Sequence, residues 1–170
     1  MKIDTLHDLY IHGIRDMRTG CAKTFAGMEK MRDAAAHPEV RGLVEHGLAS
    51  MRVAMETFDA ILDRHGATPD ETANKALASL AEEAPKWTDG AYADARRRDL
   101  AILEKTRNIA AYPDAGFTAF VKQARDFGYV EDVAELGGDA KPDGGAEDQR
   151  AAMDRIETDL LNADDLPRAA

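Results

Sequence analysis

The sequence predicts an all-α protein that folds as a helical bundle. Its apolar residues recur at alternating steps of three and four, a spacing that collects them along one side of a helix. Proline and glycine stand between these stretches, where helices begin and end. No stretch alternates apolar and polar residues with β-branched side chains, the pattern typical of strands.

The first helix is predicted from Thr5 to Ala36. Thr5 is its expected N-cap, and Asp8, three residues later, is expected to complete a capping box. The apolar stripe of this helix includes the chain's only cysteine and consists of Tyr10, Ile14, Met17, Cys21, Phe25, Met28, Met31 and Ala35.

The second helix is predicted to begin at Pro38 and to end at Gly66. Proline suits the first turn of a helix and disfavours helical geometry at the preceding residue, here His37. Glycine readily adopts the left-handed conformation that closes a helix. The apolar stripe consists of Val40, Val44, Gly47 or Leu48, Met51, Met55, Phe58 and Leu62. Because the link between the two helices is very short, they are expected to form an antiparallel hairpin.

A short crossover helix is predicted next. Thr68, Pro69 and Glu71 have the residue types of a capping box with proline in the first turn, and Pro85 is expected to end the helix.

A longer helix is then predicted from about Thr88 to Tyr112. Pro113 and Gly116 are expected to stop or kink it, because proline removes a backbone hydrogen bond and clashes with the preceding turn. A second amphipathic stretch continues to Gly128, with apolar residues at Phe117, Phe120, Val121, Ala124 and Phe127.

The C-terminal part is predicted to contain a helical turn at 130–136, a glycine-rich loop at 137–148 and a last helix marked by Met153, Ile156 and Leu160. A chain of 170 residues can bury enough apolar surface to fold as one domain without disulfides. This domain is expected to span residues 1–162, with a flexible tail at 163–170.

The negative net charge of the chain argues against two classes of partner, nucleic acids and anionic membranes. The 32 Asp and Glu residues outweigh 22 Lys and Arg and give a formal net charge of -10. Such a chain repels nucleic-acid backbones and anionic membrane surfaces, so neither is an expected partner. The single cysteine excludes an internal disulfide framework, and the sequence shows neither a signal peptide nor a membrane span. The cytoplasm is the expected location.

Two segments of the first half, KIDTLHDLYIHGIRDM and HPEVRGLVEHGLASMRVAMETFDAIL, resemble the YciE/YciF family of bacterial ferritin-like proteins. The resemblance covers roughly residues 1–85, returns at FVKQARDFGY and is faint at 147–161. The family's first helix opens with a pattern that is matched here by Leu9, Tyr10, Ile11, His12 and Asp16.

The resemblance implies a ferritin-like antiparallel four-helix bundle with a short crossover helix and an additional C-terminal helix. It also implies a homodimer, an association with stress conditions and a buried pair of metal ions. Two such cations need several carboxylates and imidazoles that project inward from facing helices.

At the ligand positions that the resemblance implies, this chain has other residue types. Those in the first two helices fall on Cys21, Gly47 and Ser50. Those before FVKQARDFGY fall, depending on the alignment, on Lys105, Thr106 and Asn108 or on Ala110, Ala111 and Pro113. Glu147 and Asp148 align with a family carboxylate pair, but one pair cannot hold two metal ions. The sequence therefore predicts a degenerate metal site, with no catalytic, cofactor-binding or metal-binding residues and no cofactor.

Other candidate ligands are few. No Glu is followed by a His three residues later, the spacing typical of ferritin-like sites. The nearest substitutes are Asp4 with His7 and a ladder of Asp8, His12 and Asp16. The ladder is expected to form surface hydrogen bonds, with a single-ion site as the alternative. His46 neighbours a ligand position but lies one residue, about 100°, away from the seam.

Cys21 and its surroundings admit three possibilities. A redox thiol needs an exposed, electropositive setting, whereas burial in a helix seam raises the pKa of a thiol. The sequence favours a small core residue, with Cys21, Gly47 and Ser50 allowing closer helix packing and methionines filling the remaining space. The third possibility concerns the function of the protein, an apolar-ligand binder that uses the vacated cavity, and a dry internal void near Cys21 and Ser50 would support it.

The favoured function is that of a non-catalytic, stress-associated structural or interaction protein that forms a homodimer. The alternative is a metal-binding oxidoreductase, using iron or manganese, whose remodelled ligand set includes Glu147 and Asp148 with His46 or the His12 ladder.

Overall fold

The structure, a computed structural model, describes residues 2–69, 74–83, 86, 88–90, 92–138 and 145–162. Across these residues the chain forms helices and turns and no strand. The described helices, in chain order, are α1 (Leu6–Ala34), α2 (Pro38–Arg64), α3 (Lys75–Glu82), α4 (Ala95–Phe127), α5 (Val130–Glu135) and α6 (Gly145–Asn162).

Helix α1 begins at the capping box that the sequence predicts. The Thr5 hydroxyl oxygen accepts a hydrogen bond from the backbone N–H of Asp8 at 3.0 Å, and the Asp8 carboxylate accepts one from the backbone N–H of Thr5 at 2.9 Å. These bonds satisfy N–H groups that the first turn of a helix leaves without partners. The capping prediction is confirmed.

The link between α1 and α2 is held by a residue of α4. The buried Asp99 carboxylate accepts hydrogen bonds from the backbone N–H groups of Ala36 at 2.9 Å and His37 at 2.8 Å. Pro38 then begins α2, as predicted, and Gly66 follows its end with a φ of +64°. The predicted helical hairpin of α1 and α2 is confirmed, and so are the predicted start of α2 at Pro38 and its end before Gly66.

Helix α3 begins later than the sequence predicts. It starts at Lys75, and the side-chain oxygen of Asn74 accepts a hydrogen bond from the backbone N–H of Leu77 at 2.8 Å, as an N-cap does. Glu71 of the predicted capping box and Pro85 at the predicted end lie outside the described residues.

Of the stop or kink predicted at Pro113, the stop does not occur, because α4 continues through this residue to Phe127. A proline inside a helix costs about 3 kcal/mol. Apolar residues on both sides of it are buried in the same core, among them Ile109 and Phe120, and this burial offsets the cost. The predicted start at Thr88 also needs correction, since Asp94 caps α4 by accepting from the backbone N–H of Arg97 at 2.9 Å. The helix ends at Gly128 as predicted.

The long helices enclose one core. Helix α1 packs against α2, α3 and α4, and α6 packs against α2 and α4. Both predicted apolar stripes face this core, although Phe25 and Met55 are only partly buried. This arrangement confirms the predicted all-α, antiparallel bundle with a crossover helix and a C-terminal helix.

The C-terminal elements follow the prediction closely. Helix α5 matches the predicted turn at 130–136, and α6 buries Met153, Ile156 and Leu160. Of the predicted loop, residues 139–144 lie outside the described residues, and α6 already begins at Gly145. The predicted tail at 163–170 is likewise outside them, so the domain boundary at 162 stays a prediction. None of the described helices is both long and apolar enough to span a membrane.

Candidate functional site

Several residues at the implied ligand positions line one cavity, which extends from the buried Cys21 to the exposed Ser50. This central cavity has a volume of about 440 Å³. Helices α1, α2 and α4 contribute to its lining, which includes six of those positions: Cys21, Gly47, Ser50, Thr106, Ala110 and Pro113. The resemblance and the structure therefore point to the same place in the fold.

The floor of the central cavity is deeply buried and carries no charge. Cys21 is 1% exposed, and Met28 and Ile109 are each 2% exposed. The hydroxyl group of Thr106 donates a hydrogen bond to the backbone carbonyl of Ile102 at 2.8 Å, so its proton is used within its own helix. Burial raises the pKa of the Cys21 thiol to about 11, which keeps it protonated at neutral pH.

Cys21 is a small core residue, as the sequence favours, because it is 1% exposed within the core. Met28 does fill space beside Gly47, where an added Cβ would lie 2.8 Å from the Met28 Cε atom. The space between α2 and α4 nevertheless remains open, because Ala54 and Ala110 face it with side chains too short to close it. The structure thus agrees with the favoured interpretation of Cys21 and also leaves a cavity beside the vacated positions, on which the third possibility depends.

The residues of the central cavity do not fit a buried pair of cations. Its acidic residues are Asp114 and Glu135. Glu135 is bound by Arg64, and Arg150 lies 4.0 Å from the Asp114 carboxylate. Among the described residues, no group of three or more His, Cys, Asp and Glu side chains is placed to hold a metal ion.

The remaining candidate ligands from the sequence lie elsewhere. His46 and Asp148 are exposed and do not line the cavity, and the Glu147 side chain lies outside what is described. Lys105 is buried but forms an ion pair with Glu83 at 3.0 Å. Asn108 and Ala111 are exposed on α4.

Asp8, His12 and Asp16 do not share one role, because Asp8 belongs to the cap of α1. The Asp8 carboxylate accepts hydrogen bonds from Thr5 and from the backbone N–H of Asp4, and the Thr5 bond lowers the pKa of Asp8. The Asp8 carboxylate therefore accepts hydrogen bonds from the residues that cap the helix. His12 and Asp16 are partly buried farther along α1.

A polar cluster that the sequence did not predict lies near the start of α1. Its centre is Asp132 of α5, which is 0% exposed. The carboxylate accepts hydrogen bonds from the Tyr10 hydroxyl at 2.8 Å and from Arg64, and the His65 Nε2 atom lies 2.8 Å from it. We call these four residues the polar cluster.

Aromatic rings enclose the polar cluster. The His65 ring lies 4.8 Å from the Tyr129 ring, and the Tyr129 hydroxyl is 2.8 Å from His7 Nδ1. Burial, followed by the hydrogen bond to Asp132, raises the pKa of Tyr10 above its ordinary range. A hydrogen bond to Glu135 raises the pKa of Arg64 in turn. The cluster thus holds a neutral phenol and a guanidinium on one buried carboxylate, an arrangement that ties α1, α2 and α5 together.

Local sequence patterns carry little information about this cluster, because Tyr10 and Asp132 are 122 residues apart. One weak signal exists. Asp132 lies four residues before the buried Leu136, so the two side chains lie on the same face of the helix. This spacing indicates that the Asp132 carboxylate points toward the interior.

Comparisons with known proteins agree on the fold. A family model described as a domain of unknown function, DUF892, matches residues 5–140. The structure is similar to YcfI from Rhodopseudomonas palustris, provisionally described as a structural protein, with 22% identity, a TM-score of 0.73 and coverage of 95% of this chain and 96% of that one. It is also similar to the E. coli stress protein YciF, with 17% identity, a TM-score of 0.75 and coverage of 94% and 96%. No curated protein matches the sequence at a significant level.

Proposed function

Since the chain belongs to the DUF892 family and is a YciF-like member of it, we propose that it is a non-catalytic, stress-associated structural or interaction protein built around a degenerate di-metal site. The descriptions of its two structural relatives, a stress protein and a provisional structural protein, support the first part of this proposal. The second part is supported by the chemistry of the cavity lining.

One observation carries the proposal. The implied ligand positions on α1 and α2 hold a protonated thiol, a glycine without a side chain and a serine, and they surround a cavity whose floor is uncharged. A pair of divalent cations in such a setting would lack the anionic ligands that offset the cost of leaving water. The interior at this point is suited to packing and to apolar contact.

The metal content of the purified full-length protein tests the proposal. Cells are grown with added iron and manganese, and the gel-filtered protein is measured by mass spectrometry for both metals per chain. We expect far less than one ion per chain in a protein that is folded by circular dichroism. A near-stoichiometric content of either metal would contradict the proposal and support the oxidoreductase with a remodelled ligand set. In that case loss of metal in His46→Ala, but not in His12→Ala, would assign the ligand set.

The proposal includes a homodimer. Exposed apolar side chains support it, because Leu6 is 67% exposed at the start of α1 and Val130 is 75% exposed at the start of α5. Their neighbours His7 and Tyr129 are in contact, so the two side chains belong to the same end of the molecule. We take this end of the molecule as the candidate dimer contact, because apolar residues gathered on one surface favour association.

Sedimentation equilibrium tests the dimer. We expect a dimer for the unaltered chain, a weakened dimer for Leu6→Glu and no change for Leu161→Glu, a matched control in an exposed apolar residue of α6. A monomer at micromolar concentrations would contradict this part of the proposal. The proposed location is the cytoplasm, which a single, buried, unpaired cysteine supports.

A further inference from the structure

We propose that the central cavity binds a small, uncharged, apolar molecule. Binding of this kind goes beyond the structural role proposed above and does not depend on it. Metal content and ligand binding are separate measurements, so either proposal can fail alone.

The size and depth of the cavity support a ligand. Its volume of about 440 Å³ lies within the range of about 300–1,000 Å³ in which small-molecule sites fall. Its lining runs from the exposed Ser50 and Val53 inward to Cys21, Met28 and Ile109, none of which is more than 2% exposed. Protein interiors are otherwise closely packed, and a space of this size forfeits the contacts that its lining atoms would make.

The lining selects an uncharged ligand. Most of its side chains are apolar, and the acidic residues Asp114 and Glu135 face arginines. An anionic ligand would meet two carboxylates, and a cationic one would find both carboxylates already paired. Ser50 and Thr57 supply hydroxyl groups to the lining, enough for one hydroxyl or carbonyl group on the ligand.

The cavity can adapt to the shape of a ligand. Met28 and Met51 line it, and the unbranched thioether of methionine adjusts easily to different apolar surfaces. The exposed Ser50 and Val53 of α2 and the exposed Asp114 of α4 also belong to the lining, so the cavity opens to solvent between these two helices. An apolar molecule can therefore enter without passing through the bundle.

Fluorescence titration with N-phenyl-1-naphthylamine, a neutral apolar dye, tests the proposal on the full chain. We expect saturable binding with a Kd in the micromolar range and a blue shift of the emission. The variant Ala54→Phe places a ring in the cavity and is expected to weaken binding at least about tenfold. Ala49→Phe, on the exposed side of α2 and outside the lining, is the matched control and is expected to bind as the unaltered chain does.

Methyl NMR locates the dye. In protein with ¹³C-labelled methionine methyl groups, we expect the dye to shift the signals of Met28 and Met51 far more than that of Met31, which is buried but does not line the cavity. Should Ala54→Phe fail to fold, Ser50→Phe serves as the second blocking variant. Absence of saturable binding, undiminished binding to the blocking variants, or unmoved signals of Met28 and Met51 would each overturn the proposal.

Discussion

The central cavity and the polar cluster are two interior regions of one bundle with opposite chemistry. The cavity floor holds a protonated thiol, a methionine and an isoleucine, whereas the cluster surrounds a carboxylate that is 0% exposed. The two regions differ in the number of hydrogen-bond donors that lie close to the buried group. Asp132 has Tyr10, Arg64 and His65 around it, supplied by α1 and the end of α2. The comparison teaches that a fully buried carboxylate is stable in this fold where several donors converge on it, and the cavity floor offers no such donors.

Removing the carboxylate of the polar cluster should have the largest effect. In Asp132→Ala, Tyr10 and His65 lose their hydrogen-bond partner, whereas Arg64 keeps its ion pairs with Glu131 and Glu135. The loss of two hydrogen bonds to a buried charged group, each worth about 1.5–3 kcal/mol, is expected to lower the free energy of unfolding by about 3–5 kcal/mol, which urea denaturation measures.

The control for this variant is Asp126→Ala, which removes an exposed carboxylate that pairs with Lys122 on the surface of α4. Its expected cost is within about 0.5 kcal/mol, since exposed pairs contribute little. Equal effects of the two variants would mean that the polar cluster contributes no more than the surface does.

Adding a carboxylate to the central cavity should be the next most costly change. Cys21→Glu buries a charge near Arg18, a cation that already pairs with Asp59, and we expect it to lose about 2–4 kcal/mol more at pH 7 than Cys21→Gln, whose side chain has the same shape as Glu. The folded state raises the pKa of the new carboxyl group, so it favours the protonated form and the difference should shrink as the pH falls. Unfolding curves of both variants at several pH values measure it. A difference near zero at pH 7 would indicate a hydrated or cation-binding centre.

Removing one donor from the polar cluster should have a smaller effect than removing its acceptor. Tyr10→Phe deletes the hydroxyl that donates to Asp132 and leaves the other two partners in place. A hydrogen bond to a charged group contributes about 1.5–3 kcal/mol, so we expect a loss of about 2 kcal/mol in urea denaturation. Tyr112→Phe, on the exposed face of α4, is the control. Indistinguishable stabilities of the two variants would argue against a cooperative cluster.

The thiol of the central cavity predicts a dependence of stability on alkaline pH. Burial raises the pKa of Cys21 from 9.0 to about 11, so the folded state binds this proton more tightly than the unfolded chain does. The resulting stability is complete below about pH 9 and is lost as the pH rises toward 11. At pH 10 the loss amounts to about 1.4 kcal/mol, one pKa unit of linkage. The Cys21→Ala variant should not show this alkaline loss of stability. If the free energy of unfolding of both proteins fell equally with pH, the prediction would be refuted.

The features that the sequence predicted correctly depend on neighbours within a few residues. The capping box at Thr5, the start at Pro38 and the ends at Gly66 and Gly128 are all of this kind. The stripe spacing likewise predicted which residues of α1 and α2 are buried, because it follows from helix geometry alone.

The features that the sequence missed depend on tertiary contacts. Pro113 has a strong local preference to end a helix, and the burial of apolar residues beyond it overrides that preference. A cysteine at position 21 correctly predicted an uncharged interior. The sequence could not predict whether a cavity remains beside the small residues, because that depends on the distances between packed helices. Asp132 acquires its partners only when α5 folds back onto α1 and α2.

Thermal denaturation with two kinds of ligand tests most directly the claim that the centre of this bundle is an apolar site. The full-length protein is melted with Mn²⁺ or anaerobic Fe²⁺, with Ca²⁺ as the control for binding to surface carboxylates, and with N-phenyl-1-naphthylamine. We expect the dye, at ten times its Kd, to raise the Tm by about 3–6 °C, and Mn²⁺ and Fe²⁺ to act no differently from Ca²⁺. A rise in Tm with Mn²⁺ or Fe²⁺ but not with Ca²⁺, and none with the dye, would contradict the claim.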